Sequence, residues 1–155
     1  MTAPFLNLEP LFDLHIKLRK EVEQVGSTPE GLRIHLFVDE GECVGPKVRG
    51  RLRRGGGDWF VLRPDGVGLL NVRCTIETHD GALIFGEHLG LLEFGERGYE
   101  RFLSGQRSAS LPGKVAARYH TGGAQYGWLN RAVCAASVQA DLQRLEVDYR
   151  MYLLA

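Results

Sequence analysis

NVRCTIETHDGALIFGEH, residues 71–88, has the pattern of two β-strands joined by a tight turn. Asp80-Gly81 is a strong signal for a two-residue hairpin loop, because both positions of such a loop need a positive φ. With that loop, Arg73 on the first strand is expected to lie opposite His88 on the second. The segment therefore predicts a long antiparallel hairpin in the middle of the chain.

The two faces of this hairpin differ in character, because successive side chains of a strand point to opposite sides. One face carries Val72, Cys74, Ile76 and Thr78, and the other carries Arg73, Thr75, Glu77 and His79. The polar face is either a hydrated outer surface or the lining of a polar pocket, and the sequence leaves both interpretations open.

Composition limits the class of protein. The chain has 155 residues, 44% of them hydrophobic, and we expect a single domain over residues 1–155. The formal net charge is zero, so no overall field attracts nucleic acid or an anionic membrane. No apolar run approaches the length of a membrane-spanning helix, and residues 1–20 do not have the pattern of a secretory signal.

Three cysteines, Cys43, Cys74 and Cys134, are widely spaced and form no Cys-x-x-Cys pair. We therefore expect neither a zinc site nor a disulfide framework, and no motif in the sequence calls for another metal or a cofactor. Free thiols in a reducing compartment are the simplest explanation, which predicts a cytoplasmic protein.

Alternation of apolar and polar residues continues along most of the chain and predicts about nine strands. They are residues 12–19, 32–39, 47–54, 58–63, 67–79, 82–93, 114–121, 128–138 and 145–154. Residues 95–105 have a helical pattern, and residues 122–127 are predicted to form a loop. Consecutive hairpins of this kind are typical of an all-β protein, and we predict a single antiparallel β-barrel of about eight to nine strands with one or two short helices.

The interior of such a barrel is either filled with side chains or holds one small ligand. The polar faces of the first two strands carry lysine and arginine, which prefer water, and this favours a packed interior. In the central hairpin, Leu83 and Phe85 are expected to pack against the apolar face that begins with Val72. We therefore expect a mixed barrel, apolar at one end and polar at the other.

Four short motifs are GGGDW (55–59), DGV (65–67), THDGALI (78–84) and WLNR (128–131). LEPLF (8–12), VGSTPEGLR (25–33), CVGPKVRG (43–50) and VDYRMY (147–152) fit the same pattern in the same order. Together they resemble the domain-of-unknown-function family DUF3237 of small microbial proteins, over nearly the whole chain. The resemblance implies a barrel of the allene oxide cyclase-like kind, frequent oligomers and a small-molecule pocket, with no agreed mechanism.

Two departures from the family pattern bear on ligand choice. His79 stands where the family usually has the first acidic residue of Thr-Asp-Asp-Gly, and residues 119–127 are shorter than the family's Phe-Glu-Thr-Gly stretch. If the pocket mouth lies there, ligand choice should differ from that of typical members.

Asp58, Arg73 and His79 are the candidate catalytic residues. Asp58 follows a glycine loop, where a carboxylate acts as a general base or caps the loop by accepting backbone N–H bonds. Arg73 is suited to bind a substrate oxyanion or to form an internal ion pair. His79 is suited to proton transfer near neutral pH, or is a hydrated turn residue.

The candidate substrate-binding residues are Trp59, Glu77, Tyr119, Tyr126, Trp128 and Asn130. The tryptophans are suited to an apolar wall, the Asn130 amide to a substrate carbonyl, and the tyrosines to a lid beside the 122–127 loop. Each also has an ordinary explanation as a core aromatic residue, a bulge or a surface side chain.

A stripe of arginines at positions 49, 51, 53 and 54 raises the possibility of a nucleic-acid interface. Nearby glutamates, zero net charge and the absence of interleaved aromatic residues argue against that function.

Three functional hypotheses remain. The first is a cofactor-independent isomerase, cyclase or lyase that transfers a proton next to a carbonyl group of a hydrophobic, oxygenated metabolite. The second is a module that binds such a small molecule unchanged, and the third is a homo-oligomeric assembly module. None requires nucleic acid or a membrane as partner. The sequence leaves open whether the protein is an enzyme, because these roles rest on residue chemistry and on analogy between folds.

Overall fold

A computed structural model describes all 155 residues and shows an antiparallel β-barrel, which confirms the predicted fold class. The ten strands are β1 (Leu8–Leu18), β2 (Glu23–Thr28), β3 (Gly31–Val44), β4 (Arg49–Leu52), β5 (Gly57–Leu62), β6 (Val67–Thr78), β7 (Leu83–Glu93), β8 (Leu111–Thr121), β9 (Cys134–Asp141) and β10 (Glu146–Leu154). A short helix, α1 (Gly98–Leu103), follows β7, and a 3-10 helix, Ala124–Arg131, follows β8. Neither helix has the length or apolar composition needed to traverse a lipid bilayer.

The barrel closes because β1 pairs with both β10 and β3. From β1 the wall runs through β10, β9, β8, β7 and β6 and returns to β3. Two short strands, β4 and β5, share the position between β6 and β3, since each pairs with both of them at different heights. β2 pairs with β3 alone and extends the wall beyond the end of β1.

The central hairpin forms, but its register differs by one residue from the prediction. Thr78 and Ala82 flank a three-residue loop in which Gly81 has a φ of 91°. This loop is of the type that combines a tight turn with a left-handed residue, and it replaces the expected two-residue turn. Arg73 therefore pairs with Glu87, and His88 pairs with Val72. A one-residue shift exchanges the faces of a whole strand.

Two further segments differ from the prediction. Residues 23–28 lie outside the nine predicted strands, but they form β2 on the edge of β3. Residues 128–131, expected to begin a strand, belong to the 3-10 helix, and β9 begins only at Cys134. The 3-10 helix buries Tyr126 and Leu129 against the barrel core. Burial of these two side chains accounts for the helical turn, because a strand there would direct alternate residues into solvent.

The interior has a packed half and a hollow half. The packed half contains Leu14, Ile76, Ile84 and Met151 and is closed by Leu129 of the 3-10 helix. The hollow half lies toward α1 and the turn between β9 and β10. Both halves are lined mainly by apolar side chains, so the expected division into an apolar and a polar end is wrong. Leu83 and Phe85, expected inside, are exposed on the outer face of β7.

Candidate functional site

The hollow half of the barrel encloses a cavity of about 120 Å³. Eighteen of its 22 lining residues are hydrophobic. The 22 residues come from eight of the ten strands, from α1 and from four connecting segments. The cavity opens at the end of the barrel, where the exposed residues Gln24 and Arg107 belong to its lining. An apolar cavity of roughly 150 Å³ binds benzene in another protein, so this space suits a small apolar molecule.

Asp58 is the one carboxylate that lines this cavity. It lies on β5 between Leu36 of β3 and Val72 of β6, whose side chains also line the cavity. Its Oδ1 accepts a hydrogen bond of 2.8 Å from the backbone N–H of Asn71. Its Oδ2 has no hydrogen-bond partner in the protein and is not fully buried. One oxygen of the carboxylate is therefore available to a ligand.

Burial raises the pKa of Asp58 from 3.8 to about 7, and the hydrogen bond from Asn71 opposes part of this effect. The cause is the loss of hydration, which disfavours the ionised form of a carboxylate among apolar side chains. At neutral pH both the acid and its conjugate base are consequently populated. A group with this pKa is suited to accept and return a proton during a reaction.

Tyr149 of β10 is the second polar group of the cavity wall. Burial raises its pKa well above 10, and the nearby charge of Asp58 raises it further. The phenol therefore stays protonated at neutral pH. Its hydroxyl makes no hydrogen bond to another protein group, and the hydroxyl oxygen is not fully buried. It is free to donate a hydrogen bond to an oxygen atom of a ligand.

A buried histidine–tyrosine pair lies behind the cavity wall. Nε2 of His88 is 2.8 Å from the hydroxyl oxygen of Tyr119, and Nδ1 of His88 is buried without a partner. The His88 ring meets the Tyr149 ring edge to face at a centroid distance of 5.0 Å. Burial lowers the pKa of His88 to about 4, so the imidazole is neutral at pH 7. His88 thus packs against the tyrosine that reaches the cavity.

Sequence reasoning missed His88 and Tyr149 for different reasons. A two-residue loop in the central hairpin puts His88 on the outer face, whereas the three-residue loop puts it inside beside Val72. The inward position of Tyr149 is predictable from the sequence, because alternation in the last strand places it on the same face as Val147 and Met151. Both of these neighbours are more buried than the charged residues between them.

The structure does not bring Arg73 together with Asp58, contrary to the sequence-based expectation. Arg73 is exposed on the outer face of β6, and its guanidinium lies over the ring of Trp59 at 5.4 Å. Trp59 is also on the outer face of its strand, since it alternates with Asp58. Glu77 lies on the same outer side and accepts hydrogen bonds from Arg51 and Arg53. None of these three predicted site residues lines the cavity.

The remaining predicted residues lie away from the cavity, toward the packed end. His79 is an exposed turn residue whose Nδ1 is 3.3 Å from the backbone oxygen of Arg49. Tyr126 donates a hydrogen bond of 2.8 Å to Asp80, and Asn130 bonds both backbone groups of Thr121. Trp128 is half-buried under Lys47. Tyr119 is buried in the core and bonded to His88. These contacts supply structural explanations for each of them.

Charged groups elsewhere on the barrel form ion pairs on its surface. Arg51 and Arg53 pair with Glu77, and Arg54 pairs with Asp39 at 2.9 Å. The arginine stripe is therefore largely matched by carboxylates. No group of three or more His, Cys, Asp or Glu side chains lies close enough to hold a metal ion, and all three cysteines are buried as free thiols.

Comparison with known proteins agrees with the resemblance seen in the sequence. The model of the family described as "Protein of unknown function (DUF3237)" matches residues 6–154. A UPF0311 protein of Rhodopseudomonas palustris is 26% identical over 156 residues, which cover 97% of this chain and 99% of the relative. Among solved structures, a beta-barrel like protein from Acinetobacter baumannii has a TM-score of 0.84 at 27% identity, covering 99% of both chains. An enzyme from Penicillium herquei has a TM-score of 0.70 at 18% identity, covering 100% of this chain and 99% of its own.

Proposed function

The chain belongs to the family of proteins of unknown function DUF3237, and we propose that it binds a small apolar ketone and transfers a proton next to the carbonyl group. One observation carries this proposal. A single carboxylate with a pKa of about 7 has an unbonded oxygen and lines a largely apolar cavity. The protein is thus proposed to be a cofactor-independent enzyme of the isomerase, cyclase or lyase type.

The proposed step needs two groups, and the cavity has both. Oδ2 of Asp58 takes a proton from the carbon next to the carbonyl group, and the electron pair of the broken C–H bond forms an enolate. The Tyr149 hydroxyl donates a hydrogen bond to the enolate oxygen. Where a carbon–carbon double bond adjoins the deprotonated carbon, the enolate is conjugated with it. Return of the proton from Asp58 to the far carbon of that double bond then shifts the double bond and completes an isomerisation. An apolar wall strengthens both interactions, because little water competes with them.

The fold is compatible with catalysis, since the Penicillium herquei protein of the same fold is described as an enzyme. At 18% identity this likeness concerns the fold alone. Support for an enzyme here comes from Asp58 and Tyr149, which occupy the cavity of this chain.

Binding of acetophenone tests the first half of the proposal. A titration followed by NMR should shift the signals of residues around the cavity, such as Val72 and Val138, before those of the outer face. Val138→Phe, which fills part of the cavity, should abolish these shifts. Leu89→Phe is a matched control, because Leu89 is exposed on the outer face of β7. Shifts that survive Val138→Phe, or none with the native protein, would contradict the proposal.

A second copy of the chain is the proposed partner of the outer face of β7. Leu83, Phe85, Leu89 and Leu91 are exposed on that face, two on each side of Glu87. Exposed apolar side chains grouped in this way are more typical of interfaces than of free surface. Light scattering should give a mass above that of one chain for the native protein and the monomer mass for Leu89→Lys. A monomeric native protein would exclude this interface. The cytoplasmic location stays a prediction from the sequence.

A further inference from the structure

The mouth of the cavity carries a single positive charge. Arg107 is the only cationic residue among the 22 that line the cavity, and Gln24 is the other polar residue at the mouth. Asp58 and Tyr149 lie deeper, on the barrel wall. The cavity therefore has polar groups at its two ends and apolar side chains between them.

Arg107 is held in place by its own segment of chain. The guanidinium carbon lies 3.7 Å from the centre of the Phe102 ring. Nη1 donates hydrogen bonds to the backbone oxygens of Phe102 and Gln106, at 3.1 and 2.9 Å. No carboxylate of the chain pairs with Arg107, and its Nε and Nη2 donate no hydrogen bond to the protein. A fixed guanidinium with free donors is suited to bind a carboxylate.

Aromatic residues lie between the two polar ends. Phe60 lies two residues beyond Asp58 on β5. Phe94 directly follows β7. Its ring packs against Phe102, the residue under Arg107, at a centroid distance of 6.0 Å. Phe60 packs against Phe94 at 5.8 Å, so aromatic rings line the route from the mouth.

We propose that Arg107 binds a carboxylate carried by the ligand, so that the ligand is an aryl or similarly flat ketone with an acidic tail. The ketone lies at Asp58 and Tyr149, the ring lies among the phenylalanines, and the carboxylate meets Arg107 at the mouth. This assignment rests on the proposed function, because it takes the deep end of the cavity as the ketone site.

Two probes of matched shape test this assignment. They are 4-(4-acetylphenyl)butanoate, which carries the carboxylate, and 4-(4-acetylphenyl)butanamide, which replaces it by a neutral amide. Calorimetry with the native protein should show tighter binding of the acid. Arg107→Gln should weaken binding of the acid by about five-fold, the upper range for an exposed ion pair, and leave binding of the amide unchanged.

Two further variants keep the result interpretable. Arg144→Gln removes a nearby exposed arginine that does not line the cavity, and it should leave the binding of both probes unchanged. Arg107→Lys keeps the charge but loses the planar donor edge, and it should retain part of the preference for the acid. If Arg107→Gln fails to fold, the comparison of Arg107→Lys with Arg144→Gln still tests the role of this position.

Two other outcomes of the binding experiments would contradict the assignment. Equal binding of acid and amide by the native protein, or equal loss of both in Arg107→Gln, would overturn the carboxylate site and leave the ketone site standing. Binding of neither probe, together with no response to acetophenone, would overturn the proposed function as well.

Discussion

The carboxylate of Asp58 accepts a hydrogen bond from the backbone N–H of Asn71 across an interrupted part of the ladder between β5 and β6. The register of these strands is regular at Gly57, Asp58, Val61 and Leu62, but the two residues between them form no bridge. The side chain thus replaces a backbone hydrogen bond with one oxygen and presents the other to the cavity. Asp58 can therefore both complete the hydrogen bonding between β5 and β6 and take part in proton transfer in the cavity.

The raised pKa of Asp58 predicts a stability that falls with pH. The group titrates near 3.8 in the unfolded chain and at about 7 in the folded protein. Between these values the folded state binds more protons, so the free energy of unfolding decreases as pH rises. Asp58→Asn should remove this decrease, which amounts to at most about 4 kcal/mol. Urea unfolding of both proteins at several pH values measures it, and parallel curves would contradict the pKa.

His88 should produce the opposite slope. Its pKa falls from 6.5 to about 4 on folding, so the unfolded chain binds more protons between these values. The free energy of unfolding should consequently rise with pH from about 4 to 6.5. In the native protein the two slopes oppose each other. His88→Phe should expose the fall due to Asp58, and Asp58→Asn should expose the rise due to His88. If the free energy of unfolding of His88→Phe still rises between about pH 4 and 6.5, His88 is excluded as the source of the rise.

Gly86 should tolerate no side chain, because it faces the ring of Tyr119. A Cβ at this position would lie 2.7 Å from the nearest carbon of that ring. Gly86→Ala should destabilise the protein by about 1–3 kcal/mol and displace Tyr119 from His88. Gly122→Ala is the control, since a Cβ there has no neighbour within 4 Å. Thermal unfolding compares the two variants, and equal melting temperatures would refute this packing.

Arg73→Ala should leave ligand binding intact. The side chain stacks on Trp59 outside the barrel, and its loss should cost about 0.5–1 kcal/mol of stability. Acetophenone should bind this variant as it binds the native protein. Loss of binding without unfolding would mean that the outer face of β6 takes part in the site.

The sequence predicts the barrel well because period-two alternation and turn residues are local signals. It does not determine the register of the central hairpin, since Asp80-Gly81 fits loops of two or three residues. That single residue decides whether His88 shares a face with Val72, inside the barrel, or with Arg73, outside it. Trp128 and Leu129 fit a strand as well as a helical turn, because a short apolar segment has no decisive period. Only the tertiary structure shows that Leu129 covers the packed end of the barrel.

Part of the candidate site is predictable from the sequence. The position of Asp58 after a glycine loop makes it a candidate in the sequence, although its raised pKa depends on burial between β3 and β6. Arg107 lies in an irregular segment with no periodic pattern, and only the tertiary structure places it at the mouth. Residues on strands were thus easier to assign than residues on connections.

Hydrogen–deuterium exchange at the methyl group of acetophenone, followed by proton NMR in D2O, tests proton transfer by Asp58 most directly. The native protein should accelerate exchange above the rate in buffer, with the catalysed rate rising through a pH of about 7. Asp58→Asn should still bind acetophenone but lose about 10²-fold or more of the catalysed rate. Asp65→Asn, on the outer surface, should behave as the native protein. Binding without any acceleration by the native protein, or full activity in Asp58→Asn, would contradict proton transfer by this carboxylate.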